Sequence, residues 1–124
     1  MKSRILLLLL AVWFVTLRQA DAIPTKHDAS FVATAYAQRG ITRSGLPAAP
    51  GRVAADPEVL PLGTRIRVSN AGPYSGTYTV ADTGSKVRGR HIDIFIGSRR
   101  LAIQFGRRLV RVTVLRWGDG SVSG

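Results

Sequence analysis

Two aspartates, Asp82 and Asp93, occupy places in the sequence where a carboxylate is costly and therefore indicates chemistry. Asp82 directly follows the run 78–81, and Asp93 lies inside the apolar run 92–96. Runs rich in β-branched and aromatic residues predict strands. A pair of carboxyl groups can cleave a glycosidic bond when one group protonates the leaving oxygen and the other stabilises the cationic transition state. The pair therefore points to glycoside chemistry.

The surroundings of the two aspartates predict different roles for them. Asp93 lies in a wholly apolar strand that disfavours its ionised form, so we expect it to be the protonated general acid. Asp82 precedes Thr83 and Gly84, whose backbone N–H groups and hydroxyl favour a charged carboxylate, so we expect it to stay anionic. The segment 83–90 between them contains two glycines and three cations. We expect a loop there that brings the aspartates together.

The elements that must position these residues follow from the alternation of apolar and polar side chains. We predict one short helix, capped by Ser98 and ended by Gly106. The glycine-rich and proline-rich connection 38–52 is either one wall of a substrate groove or a mobile surface excursion. Six strands are predicted, over 31–37, 53–57, 64–68, 77–81, 92–96 and 109–115. This content favours an all-β fold that closes into a small barrel, because closure removes exposed strand edges.

Motifs along most of the chain resemble the three-aspartate (3D) domain family. The motifs are Thr34-Ala35-Tyr36, 51–57, Leu60-Pro61-Leu62-Gly63-Thr64, Asp82-Thr83-Gly84, Asp93-Ile94-Phe95-Ile96-Gly97 and Phe105-Gly106-Arg107-Arg108. The three aspartates of the family match Asp56, Asp82 and Asp93. Relatives of this family include the catalytic barrel of membrane-bound lytic transglycosylase A, stationary-phase muralytic enzymes and, more remotely, expansins. The resemblance implies a six-stranded double-psi β-barrel that acts on peptidoglycan.

The resemblance also implies a reaction. Asp93 would donate its proton to the bond between N-acetylmuramic acid and N-acetylglucosamine. It would then take a proton from the muramyl 6-hydroxyl, so that the ring closes to a 1,6-anhydro product without water. Asp82 would stabilise positive charge and orient the groove. No cofactor is expected.

The same resemblance implies a set of substrate-binding residues. They are Thr34, Tyr36, Asp56, Thr83, Gly84, Lys86 and Arg88. Two departures from the family pattern occur in the loop, where Ser85 replaces a second glycine and Arg88 precedes Gly89 in place of lysine. An arginine keeps the charge of a lysine but presents a planar fork, so the loop contacts differ from the family pattern.

Several of these residues also have a structural interpretation. Tyr36 could be a barrel core residue, and Asp56 before a proline is a common turn start, which we prefer to a catalytic role. His91 lies on the same strand face as Asp93 and could orient a carboxylate, bind sugar hydroxyls or point to water, which is the default. We expect no zinc site, because the sequence has no cysteine and no cluster of acids at ligand spacing.

Two further functions compete with catalysis. The first is a non-catalytic, expansin-like module that binds peptidoglycan or another carbohydrate, because fold does not determine function. The second is a basic envelope protein that only adheres to anionic polymers. Residues 23–124 keep 15 of the 18 Lys and Arg and six of the seven acidic residues, a net charge of +9. This charge predicts an anionic partner, and export excludes nucleic acid.

The N-terminus predicts export. Lys2 and Arg4 precede an apolar run over 5–17, and Ala20-Asp21-Ala22 has the pattern that signal peptidase requires. Thirteen apolar residues fall short of the ~20 that span a bilayer as a helix. We expect a cleaved signal peptide over 1–22 and an exported protein that begins at Ile23.

The remaining chain is long enough for one domain. We predict a linker over 23–30, a 3D domain over 31–117 and a flexible tail over 118–124. We expect a monomer in the periplasm, cell envelope or extracellular space, with no stable membrane insertion after cleavage.

Overall fold

The computed structural model describes residues 28–121, which form a closed barrel of six strands. The strands are β1 Asp28–Tyr36, β2 Arg52–Ala55, β3 Arg65–Ser69, β4 Gly76–Asp82, β5 His91–Phe95 and β6 Arg108–Arg116. A short 3₁₀ helix covers Gly72–Tyr74, and one α-helix, α1, covers Arg99–Phe105. Around the barrel the order is β1-β5-β2-β4-β3-β6. The pairs β1–β5 and β2–β4 are parallel and the other four are antiparallel. The predicted six-stranded double-psi β-barrel with one short helix is confirmed.

The barrel interior is filled by side chains that alternate along each strand. In β3, Ile66 and Val68 are buried, whereas Arg65 and Arg67 are exposed, as the alternation predicts. Each aliphatic side chain buried in this way contributes about 1.5–3 kcal/mol to folding. The barrel is therefore held together mainly by its apolar interior.

Strand β5 places Asp93 outside this interior. Ile92 and Ile94 belong to the core cluster, so the residue between them faces the opposite side of the sheet. Ile92 and Ile94 therefore point away from Asp93, whereas Phe95, which is buried but lies outside the core cluster, shares its face of the sheet. The partial burial of Asp93 comes from the parts of the chain that cover the outer face.

The helix follows its sequence signals. Ser98 is the N-cap, and its Oγ accepts a hydrogen bond from the Leu101 backbone N–H at 3.3 Å. Gly106 ends the helix with φ of 66°, a left-handed conformation that glycine adopts without strain. Phe105 packs into the barrel core. The predicted cap and stop are both confirmed.

Asp56 forms the turn that the Asp-Pro motif predicts. Its Oδ1 accepts a hydrogen bond from the Glu58 N–H at 3.0 Å, and its Oδ2 accepts one from the Gly89 N–H at 2.8 Å. These two backbone hydrogen bonds lower the pKa of Asp56, because they stabilise the ionised carboxylate. Asp56 therefore ties the turn after β2 to the loop 83–90.

Both ends of the described chain are held by hydrogen bonds. Strand β1 begins at Asp28, so the linker prediction is wrong for 28–30, which belong to the barrel. At the other end, segment 118–121 is hydrogen-bonded to the turn before β3, because the Gly118 N–H donates to Thr64 Oγ1 and the Gly120 N–H donates to Leu62 O, both at 3.0 Å. The flexibility predicted for 118–124 stays a prediction.

The signal peptide over 1–22 and the start of the linker lie outside the described residues. Among residues 28–121 no helix is long and apolar enough to cross a membrane.

Replacing Gly118 with alanine should destabilise the protein. A Cβ at this position would lie 2.2 Å from Leu62 O and 2.4 Å from Thr64 N, and these backbone atoms cannot rotate away. We expect Gly118→Ala to cost about 1–3 kcal/mol, the usual range for overpacking, measured by chemical denaturation. Gly97→Ala is the control, because its Cβ would approach the end of the flexible Arg39 side chain at 3.2 Å and would otherwise make ordinary van der Waals contact with the Phe95 ring, at 3.6 Å. Equal stability of both variants would show that the 118–121 segment is loosely attached.

Asp56→Asn should lower the melting temperature at neutral pH. The Asn side chain has one acceptor oxygen, so one of the two backbone N–H donors would face an NH₂ group. The folded pKa of Asp56 is lowered, so its contribution to stability is present above the unfolded pKa of about 3.9 and is lost as pH falls through the folded pKa.

The difference between parent and Asp56→Asn should therefore shrink in acid, as followed by thermal unfolding at a series of pH values. Glu58→Gln is the control, because only the backbone N–H of this exposed residue takes part in the turn. An equal effect of both changes would contradict the assignment.

Candidate functional site

The topology brings the two predicted catalytic aspartates to the same strand. Strand β2 lies between β4 and β5, and its Ala54 is paired with Asp82 on one side and with Asp93 on the other. Two strand spacings separate the backbones of the aspartates, roughly 10 Å in a regular sheet. The ladder between β2 and β4 is irregular at Val53 and Ala54, and this irregularity places Asp82 opposite Ala54. Asp82 and Asp93 therefore flank a methyl side chain that leaves the space between them open.

Both aspartates line a cavity of about 410 Å³. Of the other residues predicted for the site, Tyr36, Thr83 and Gly84 also line it. Six residues of the connection between β1 and β2 complete one side of the cavity: Gln38, Arg39, Gly40, Ile41, Thr42 and Ala48. Of the two interpretations of this connection, the wall of a groove is the one that the structure supports.

Backbone hydrogen bonds hold this wall in place. Ile41 and Pro47 form an antiparallel bridge, and the Thr42 N–H donates to Leu46 O at 2.8 Å. The Ser44 N–H donates to Ala81 O at 3.1 Å, which attaches the tip of the connection to the end of β4. The wall is therefore a folded hairpin that is fastened next to Asp82.

Asp82 is oriented by two backbone donors. The N–H groups of Thr83 and Arg43 both donate to its Oδ1 at 2.9 Å. Thr83 was expected to supply such a donor, whereas Arg43 belongs to the hairpin and was not identified from the sequence. Two hydrogen bonds to one oxygen leave the other oxygen without a hydrogen bond from any described residue.

Asp93 is half-buried and accepts a hydrogen bond from Thr34 Oγ1 to its Oδ1 at 2.9 Å. Burial raises the pKa of Asp93, and the negative charge of Asp82 adds to the rise, whereas Thr34 and His91 lower it. The raised pKa agrees with the expectation for a general acid, because a carboxyl that must donate a proton has to keep it. The cause is burial on the outer face of the sheet, since Ile92 and Ile94 point into the barrel.

His91 does not simply point to water, which was its expected default. Its Nε2 lies 2.8 Å from Thr34 Oγ1, the same hydroxyl that contacts Asp93. His91 and Asp93 lie two residues apart in β5, so both face outward, and Thr34 lies opposite Asp93 in β1. Thr34 is thus the link between the histidine and the carboxylate.

Tyr36 lies in the outer cavity, and its ring packs edge-to-face on Phe95 with ring centroids 5.4 Å apart. Its hydroxyl is buried and has no hydrogen-bond partner among the described residues. Burial raises the pKa of Tyr36 to about 12, and the charges of Asp82 and Asp93 contribute. The hydroxyl therefore remains protonated near neutral pH and is available as a donor.

Four residues predicted to bind substrate do not line the cavity. Thr34 is connected to it through its hydrogen bond to Asp93, which does line it. Asp56 is used in the turn, and Lys86 and Arg88 are exposed on the loop. Val87 between them is buried and does line the cavity. A role for Lys86 or Arg88 in holding a glycan stays a prediction.

Sequence reasoning missed Ala54, Arg39, Val87 and the contact of His91. For His91 the sequence did indicate the face shared with Asp93 and left the orientation of a carboxylate open as one role, but it did not indicate the contact with Thr34. For Ala54 the only signal is its small size, which becomes informative once the pairing of β2 is known. Within 28–121 no three His, Cys, Asp or Glu residues are grouped so that they could hold a metal ion.

Comparisons with curated proteins find cell-wall proteins of Bacillus subtilis (strain 168). The chain is 36% identical over 64 residues to the putative cell wall shaping protein YabE, covering 51% of this chain and 14% of YabE. It is 40% identical over 63 residues to the cell wall-binding protein YocH, covering 51% of this chain and 21% of YocH. The chain therefore matches only a small part of each of these relatives.

Two kinds of solved structure share the fold. MltA from Escherichia coli, a lytic transglycosylase, has a TM-score of 0.53 at 23% identity, covering 66% of this chain and 29% of MltA. An expansin of Clavibacter michiganensis also has a TM-score of 0.53 at 23% identity, covering 78% of this chain and 52% of the expansin. The family model of the 3D domain matches residues 52–116, more than half of the sequence. The chain therefore belongs to the 3D domain family.

Proposed function

We propose that this protein is a lytic transglycosylase that cleaves the bond between N-acetylmuramic acid and N-acetylglucosamine in peptidoglycan. The observation that carries the proposal is the placement of Asp82 and Asp93 on either side of Ala54 in one cavity. The raised pKa of Asp93 suits a proton donor. The cell-wall names of the Bacillus relatives and the fold of MltA support the substrate class.

The reaction would begin with Asp93. Its carboxyl proton moves to the glycosidic oxygen, and the bonding electrons of the C1–O bond leave with that oxygen. The muramyl C6 hydroxyl oxygen then bonds to C1, and its proton returns to the Asp93 carboxylate. The product is a 1,6-anhydro ring, and Asp93 is protonated again without the use of water.

The other side chains of the cavity would orient the glycan and stabilise charge. The free oxygen of Asp82 faces the developing positive charge on the sugar ring, which a fixed carboxylate stabilises. The Tyr36 hydroxyl lacks a partner and would donate to a substrate oxygen. Ile41 is 74% exposed at the cavity wall and offers an apolar surface for a sugar face.

A binding module without catalysis is the second candidate. The expansin fold and the name of YocH, a cell wall-binding protein, favour it. The chain also covers only 29% of MltA, so the similarity to that enzyme is limited to a part of its length. In either function we propose an exported monomer that acts in the periplasm, cell envelope or extracellular space. The net charge of +9 over residues 23–124 supports attraction to an anionic wall.

Asp93→Asn should fold, bind glycan and lose activity by ~10²-fold or more, because Asn keeps the shape but cannot deliver a proton. The assay is the digestion of purified sacculi, with anhydromuropeptides measured by mass spectrometry and glycan binding measured by pelleting. Asp82→Asn should also lose activity, since its charge is required.

Three results would change this assignment. If Asp93→Asn works at the parent rate while Asp82→Asn does not, the two roles are reversed. If the parent itself releases no muropeptides but binds sacculi, the binding module is the correct function. If the parent releases products without an anhydro ring, water replaces the muramyl hydroxyl.

Asp93→Asn should also raise the stability of the protein at neutral pH. Asp93 has a higher pKa in the folded protein than in the unfolded chain, so folding is opposed wherever the unfolded chain is ionised. This cost is absent below the unfolded pKa of about 3.9 and develops as pH rises through the folded pKa. Asn never ionises, so Asp93→Asn should melt above the parent at pH 7, and the gap should close below about pH 3.9. Thermal unfolding at both pH values measures it, and a gap independent of pH would contradict this explanation.

A further inference from the structure

We propose that His91 is a positioning residue that holds the Thr34 hydroxyl as a donor to Asp93 and thereby tunes the strength of the proposed general acid. The catalytic meaning of this inference rests on the proposed function. The hydrogen-bond chain from His91 through Thr34 to Asp93 does not, and it can be tested by itself.

The hydrogen-bond chain from His91 through Thr34 to Asp93 is formed by side chains of two adjacent strands, β1 and β5. Thr34 lies opposite Asp93 in the parallel pairing of β1 with β5, and Val32 lies opposite His91. The Thr34 oxygen therefore lies between the two β5 side chains, 2.8 Å from His91 Nε2 and 2.9 Å from Asp93 Oδ1. All three side chains are partly buried, which limits competition from water.

The single proton of the Thr34 hydroxyl makes the chain directional. An ionised carboxylate can only accept, so Thr34 must donate its proton to Asp93. Thr34 can then interact with Nε2 only as an acceptor, and Nε2 must carry a hydrogen. With neutral His91 bearing its hydrogen on Nε2, the hydroxyl is fixed toward Asp93. Without His91, the same hydroxyl is free to rotate away.

A Thr34 hydroxyl that points at Asp93 opposes the effect of burial on the pKa of Asp93. A donor aimed at the carboxylate favours its ionised form, so the chain limits how far burial can weaken the acid. A general acid works best when its pKa lies near the operating pH, so a limit of this kind suits the proposed role of Asp93.

Other charged and titratable groups lie near the hydrogen-bond chain from His91 to Asp93. Asp82 on β4 and Tyr36 on β1 line the cavity with Asp93, and so does Arg39 of the hairpin. Arg52 on β2 acts on Tyr36 electrostatically, and Arg90 precedes His91 on the exposed end of the loop. His91 acts on Asp93 both through its own charge and through the hydroxyl of Thr34, whose hydrogen bond is the side-chain hydrogen bond that Asp93 accepts within residues 28–121.

The test measures the pKa of Asp93 by carboxyl ¹³C NMR in the parent, His91→Ala, Thr34→Val and the double variant. We expect the pKa of Asp93 to rise in both single variants. His91 also lowers the pKa of Asp93 directly through its charge, so the double variant should exceed Thr34→Val by that electrostatic part alone. The rise in the double variant should therefore be smaller than the sum of the two single rises, a non-additive result that a double-mutant cycle detects. His91→Gln can place an N–H near the hydroxyl, so it should restore part of the effect.

A second measurement tests the direction of the chain. At a pH where the Asp93 carboxyl is ionised and the His91 ring is neutral, ¹⁵N NMR of the parent should show the ring hydrogen on Nε2. A hydrogen on Nδ1 at that pH would overturn the proposal. So would an unchanged pKa of Asp93 in His91→Ala, or additive effects of the two substitutions.

The activity assay separates this inference from the proposed function. In His91→Ala the loss of activity at high pH should move to higher pH, together with the pKa of Asp93. If the parent is inactive but the NMR results are as expected, the chain exists and the proposed enzyme function fails. If the parent is active but the pKa of Asp93 is indifferent to His91, the function stands and this inference is wrong.

Discussion

The pairing of Ala54 with both Asp82 and Asp93 is the constraint on which the site depends. Strand β2 has only four residues, and it pairs in parallel with β4 and antiparallel with β5. No local preference of the chain produces this arrangement, because each pairing joins segments that are far apart in sequence. The closed barrel fixes it, so the geometry of the carboxylates is as rigid as the barrel itself.

Strand β5 carries both the stability of the barrel and its chemistry. Ile92 and Ile94 are almost fully buried in the core, and burial of this kind contributes about 1.5–3 kcal/mol for each side chain. Asp93 between them faces the cavity on the other side of the sheet, where partial burial raises its pKa and costs stability at neutral pH. A strand with one apolar and one reactive face can hold an unfavourable carboxyl, because the isoleucines offset its cost.

The sequence predicts the local features well and the long-range contacts poorly. The six strands, the Ser98 cap and the Asp56 turn follow from alternation and from short motifs, which depend on neighbouring residues. The double-psi order of the strands came from family resemblance, since periodicity does not say which strands pair. The role of His91 was misjudged because Thr34 is 57 residues away. The attachment of 118–121 was missed because it depends on the close approach of Gly118 to the turn before β3, which no pattern in the sequence encodes.

The hairpin between β1 and β2 explains how a single small barrel can have a defined cavity. Its Arg43 N–H and the Thr83 N–H converge on the same oxygen of Asp82, so the hairpin and the loop after β4 meet at the carboxylate. The Ser44 N–H bound to Ala81 O adds a second attachment one residue earlier. Because the wall is fastened to the residue that it covers, a shift of the hairpin would also reorient Asp82. The shape of the cavity and the direction of its fixed negative charge are therefore set together, within one domain.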